Sequence, residues 1–99
     1  MYAVPKSKAS LPENRFEFHF PPSKKKYSIP LLKFIRPVIA AEIADMGDAQ
    51  ASRHVLRAYF PDEDLLALFD DQDQFEDWVE AWKKASGIGL GESEASSDS

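Results

Sequence analysis

The chain has 99 residues, 43% of them hydrophobic and 12% aromatic, with no cysteine and a formal net charge of −5. That length allows one domain at most. The missing cysteines exclude a disulfide framework and thiolate metal sites, and no apolar run approaches the roughly 20 residues of a membrane span.

Charge is unevenly placed. Residues 1–57 carry ten Lys/Arg against five Asp/Glu, and residues 58–99 carry two against twelve. A chain of this balance is repelled by nucleic-acid phosphates and attracted to a basic protein surface. Met1 to Leu11 lacks the apolar stretch of a secretory signal, so the expected compartment is the cytoplasm.

Residues 1–14 mix Lys, Ser, Pro and Ala without periodicity and read as a flexible arm. Arg15-Phe16-Glu17-Phe18-His19-Phe20 alternates strictly, the period of a half-buried strand, with Phe16, Phe18 and Phe20 on one face. Pro21-Pro22-Ser23-Lys24-Lys25 is a turn signal, and Tyr27 and Ile29 alternate again beyond it. The expected unit is a β-hairpin over 15–30 with a loop of about four or five residues.

Helical periods follow. Pro37 suits a first helical turn, and Ile35, Ile39, Ile43 and Met46 line one face before Gly47. Asp48 is the expected cap of a second helix with an Ala51, Val55, Ala58, Tyr59 stripe, ended by Pro61. Asp62, Glu63 and Asp64 crowd the next start, where the helix dipole favours anions, and Leu65, Leu66 and Phe69 form the buried side of a short helix. In the last helix Asp73 and Glu76 have capping-box spacing, and Phe75, Trp78, Val79 and Trp82 fall at i, i+3, i+4 and i+7. Lys83 and Lys84 suit its final turn, and Gly87 its left-handed close. The expected fold is α+β, mostly α: a hairpin packed on about four helices within 36–86. The termini are expected to be disordered, including a Gly/Ser/acidic tail over 87–99.

Residues for catalysis are scarce. His19 falls on the water face of a strand and His54 beside Arg53 on a helix, and neither has a serine or carboxylate at triad spacing. An EF-hand counted from Asp71 would place Glu76 where glycine belongs and Trp82 where glutamate belongs. Gly87-x-Gly89-x-Gly91 follows a helix and precedes acids, unlike a phosphate loop. Lys24-Lys25-Lys26 lacks the aromatic interleaving of a nucleic-acid surface and reads as a solvated loop that discourages edge pairing. Trp78 and Trp82 are core fillers by spacing, and tryptophan is also enriched at binding hot spots.

Two stretches resemble a known family. Phe16-Glu17-Phe18 followed by Tyr27-Ser28-Ile29-Pro30 resembles the opening of tail assembly chaperones from siphophages of actinobacteria. The ending is similar as well: Phe75-x-x-Trp78-x-x-Ala81-Trp82, then Ala85-Ser86-Gly87-Ile88-Gly89-Leu90-Gly91-Glu92-Ser93 and a serine-rich acidic tail. Pro21-Pro22-Ser23 departs from the glycine-bearing turn usual there, and residues 31–72 share only the pattern.

The resemblance implies a non-enzymatic protein without cofactor. Such a protein binds the long, aggregation-prone tape measure protein and keeps it soluble until tail tube subunits assemble around it. It also implies the shorter of two frameshift-related products, with the junction near Gly91 and Glu92 and a longer form that engages the tail tube protein. Its expected place is the bacterial host cytoplasm, outside the mature virion, with no nucleic-acid or membrane partner and the oligomeric state open. The expected partner-binding residues are Leu66, Phe69, Phe75, Trp78 and Trp82, through an apolar stripe left partly exposed by the last two helices. Without the resemblance, the same composition fits a small acidic helical adaptor.

Overall fold

A computed structural model describes residues 1–87. The expected acidic tail beyond Gly87, with Gly91 and Glu92, lies outside the described residues. The architecture is α+β and mostly α. Strands β1 (Arg15–Phe18) and β2 (Tyr27–Pro30) form an antiparallel hairpin, followed by helices α1 (Pro37–Ile43), α2 (Asp48–Tyr59) and α3 (Gln72–Ser86). The short helix expected after Pro61 is a single 3-10 turn, Leu65–Leu68. The backbone leaves the helical region at Phe69, with φ −78° and ψ 133°, which ends the turn after Leu68.

The hairpin register places Phe16 opposite Ile29 and Phe18 opposite Tyr27, so the aromatic face predicted by alternation forms. The connection is longer than expected, running from His19 to Lys26. Pro21 and Pro22 have no N–H to give a ladder, so pairing stops at Phe18. On the other face the Arg15 guanidinium donates to the Ser28 hydroxyl and carbonyl and to the Ala9 carbonyl. The last residues of the N-terminal segment are also tied down, with a 3-10 turn at Pro12–Asn14 and an Asn14 side-chain bond to the Lys8 carbonyl.

Helix α1 opens with Pro37 at its first position, and Ile39 and Ile43 are buried. Gly47 rather than Asp48 is the residue before α2. The Asp48 carboxylate instead accepts from Lys83 Nζ at 2.7 Å and joins α2 to the end of α3. The buried face of α2 is rotated from the expected stripe: Ala51, Ser52, Val55 and Leu56 are buried, and Ala58 is exposed. The cap of α3 lies two residues earlier than the Asp73–Glu76 spacing suggested. Gln74 N donates to Asp71 Oδ1 at 2.9 Å, and the Gln74 side-chain oxygen accepts from Asp70 N. At the other end Gly87 adopts φ 82°, where a side chain would be strained, and its N–H reaches the Lys83 and Lys84 carbonyls.

One core holds these elements together. It contains Tyr27 and Ile29 of the hairpin, Ile39 and Ile43 of α1, Val55 and Leu56 of α2, Leu65, and Phe75, Trp78, Val79 and Trp82 of α3. Trp82 is at its centre, 0% exposed. Its indole N–H donates to the Pro30 carbonyl at 3.1 Å, and its ring stacks on Trp78 with centroids 5.6 Å apart. Phe16 and Phe18 meet Trp78 edge-on at 5.8 and 5.3 Å, which docks the hairpin onto α3. Two polar ties close the periphery, where Leu32 N donates to Ser86 Oγ and Arg36 N to the Tyr59 hydroxyl.

Ser52 is the exception within this core. It is fully buried and its hydroxyl has no partner among the described residues. An unpaired buried hydroxyl is unfavourable, and serine is also a weaker helix former than alanine. Ser52→Ala is therefore expected to stabilise the fold by about 1 kcal/mol, a rise of roughly 5 °C in Tm by thermal denaturation. A lower Tm would show that the hydroxyl is satisfied in solution.

A third tie joins the hairpin loop to the segment after α2. The Tyr27 hydroxyl donates to Glu63 Oε2 at 2.6 Å, and Lys25 Nζ lies 3.3 Å from both carboxylate oxygens. The hydrogen bond from Tyr27, reinforced by Lys25, lowers the Glu63 pKa below the usual carboxylate value against an opposing desolvation. A carboxyl depressed on folding adds stability above its unfolded pKa, and that stability is lost as pH falls through the folded value. Acid titration below about pH 4.3 is expected to loosen this tie. Glu63→Gln is expected to flatten the Tm-against-pH curve on the acid side, and an unchanged acid slope would remove Glu63 as its source.

Candidate functional site

The five residues expected to bind a partner separate into two groups. Trp82 is enclosed, and Trp78 and Phe75 are 8% and 5% exposed. Trp82 therefore belongs to the core and does not contribute to a surface, which corrects the expectation of an exposed stripe through it. The reason is Pro30: the β2 carbonyl captures the indole N–H and draws the ring beneath the hairpin. Leu66 and Phe69 are only partly buried, on and just after the 3-10 turn.

Phe69 is the centre of the remaining surface. It packs edge-on against Phe20 at 5.0 Å, Phe75 at 5.3 Å and Trp78 at 6.3 Å. An open groove lies on each side of it. The first, of about 360 Å³, is lined by Phe20, Leu68, Phe69 and the edge of Trp78, with His19, Pro21, Asp70, Gln74 and Asp77 around them. The second, of about 350 Å³, is lined by Leu66, Phe69 and Phe75 with Arg53, Asp71 and Gln72. Phe69 lines both.

Sequence periodicity missed Phe20 and Leu68 as surface residues. Leu68 is 41% exposed, a large apolar side chain facing water. The available signal was the run Leu65-Leu66-Ala67-Leu68-Phe69, five apolar residues in succession. One turn of helix cannot bury such a run on a single face. Phe20 continues the strand alternation after the ladder has ended, so its ring extends past the hairpin to Phe69.

The rim is acidic. Asp70 and Asp77 line the first groove and Asp71 the second, and none of the three has an ion-pair partner among the described residues. Arg53, the cation of the second groove, lies over the Phe75 ring at 6.0 Å. The Trp78 indole N–H is buried and has no acceptor among the described residues. Among the described residues no group of three or more His, Asp or Glu is placed to hold a metal ion. No helix among them is long and apolar enough to cross a membrane. His54 bonds to Glu42 on the surface, and His19 borders the first groove. Chemically, the site offers apolar burial and negative charge. No protein family model, curated protein or solved structure matches this chain.

Proposed function

We propose that this protein is a siphophage tail assembly chaperone that binds the tape measure protein, keeps it soluble in the host cytoplasm and helps recruit tail tube subunits. The sequence similarity at both ends of the chain motivates the reading. The observation that carries it is the pair of open grooves at Phe69 on an otherwise charged body. A holdase needs an accessible apolar surface for a partner's helix and a soluble shell around it. It performs no bond-making step, leaves with assembly and is absent from the finished virion.

Co-expression with a siphophage tape measure protein tests the reading. The tape measure chain is expected in the soluble fraction, co-eluting with this protein. A tape measure chain that stays insoluble, or that is soluble without binding this protein, would favour the acidic-adaptor role.

A further inference from the structure

We propose that the grooves flanking Phe69 take an amphipathic helix whose apolar stripe is bordered by lysine or arginine, and that the acidic rim selects it over a helix bordered by acids. This rests on the holdase reading and specifies the chemistry of its partner.

The shape points to a helix. Two grooves share one lining ring, that of Phe69. Side chains three or four residues apart on a helix stand about 5–6 Å apart. Two successive anchors of a helical stripe can therefore straddle a single aromatic ring and enter the two grooves together. Phe20 and Leu68 extend the apolar floor on one side, and Leu66 extends it on the other.

The charge points to a basic border. Asp70 and Asp77 edge the first groove, and neither is ion-paired among the described residues. Residues 58–87 carry nine acids against two lysines, so the wider field has the same sign. Lys83, one of those two, is already engaged by Asp48 and Glu80. Arg53 and Asp71 give the second groove one charge of each sign. The partner's basic residues are thus placed over Asp70 and Asp77. Rim charges of this kind act chiefly through encounter rate and rejection of wrong partners.

The test uses the full chain and two labelled synthetic peptides with one leucine stripe, bordered by Lys in one and by Glu in the other. Fluorescence anisotropy at low salt is expected to show the Lys peptide binding about tenfold more tightly, with the gap closing as salt screens the rim. The double variant Asp70→Asn/Asp77→Asn changes only exposed charges, and is expected to cut the preference to about threefold at unchanged Tm. Leu68→Glu is expected to weaken both peptides. Amide shifts on titration should centre on Leu68, Phe69 and Asp77. Equal affinity for the two peptides, or a preference untouched by the double variant, would overturn the charge selection and leave the holdase reading standing. Binding of neither peptide, or shifts centred on Lys24–Lys26, would overturn the grooves as the docking site, while tape measure solubilisation is read separately by co-expression.

Discussion

Trp82→Ala is expected to lose most of the protein's cooperative stability. Truncating a fully buried tryptophan costs about 3–5 kcal/mol through lost burial and the cavity left behind. Here the indole also holds the Pro30 carbonyl and the Trp78 ring, so the loss falls at the upper end of that range. A core of this size supplies little reserve against it. Circular dichroism is expected to show a Tm lowered by roughly 15 °C or more, or no folded baseline at all. Trp82→Phe, which keeps a ring in the stack and loses the hydrogen bond, should lie between the two. A wild-type melt for the alanine variant would contradict the placement of this residue in the core.

Ile29→Ala is the second large effect. Ile29 is 0% exposed, pairs with Phe16 across the hairpin and belongs to the same cluster as the helices. An isolated two-stranded hairpin is marginal in water, so the strands depend on this contact and the helices on the strands. The expected loss is about 2–5 kcal/mol. The decisive observation is coincidence: far-UV helix signal and near-UV tryptophan signal should melt together at a lower temperature. Helices that melt at the wild-type temperature after the tryptophan signal has gone would show two independent units in place of one core.

These two residues show what is legible in the sequence and what is not. Alternation placed Phe16, Phe18, Tyr27 and Ile29 on one hairpin face, and spacing placed Phe75, Trp78, Val79 and Trp82 on one helix face, as the structure has them. Both are period signals within a single element, and packing of each face against one core made them reliable. Gly87 was legible because its left-handed conformation selects glycine locally. The caps were not. Asp70, Asp71 and Asp73 compete for the start of α3, and the choice is made by the Gln74 side chain reaching back to Asp70. The face of α2 also depended on its neighbours: packing against α1, α3 and the 3-10 turn buries Ser52 and Leu56 and leaves Ala58 outside.

For the candidate site, the structure leaves Leu66 and Phe69 partly exposed and encloses Trp82. An apolar stripe has the same spacing whether it faces a core or a partner, so only tertiary contacts divide it. The hairpin decided the division here by covering Trp82 and most of Trp78, which left Phe69 and Leu68 at the boundary. Phe20 joined that boundary through a connection longer than the turn signal suggested.

The most direct test of partner binding at Phe69 is a titration of the purified chain into a labelled fragment of the tape measure protein, with Leu68→Glu in parallel. Leu68 is already exposed, so the variant should keep the wild-type melt. The wild-type chain is expected to bind saturably, and Leu68→Glu about tenfold or more weakly, as for a residue central to an apolar interface. No binding by the wild-type chain, or equal binding by a folded Leu68→Glu variant, would contradict it.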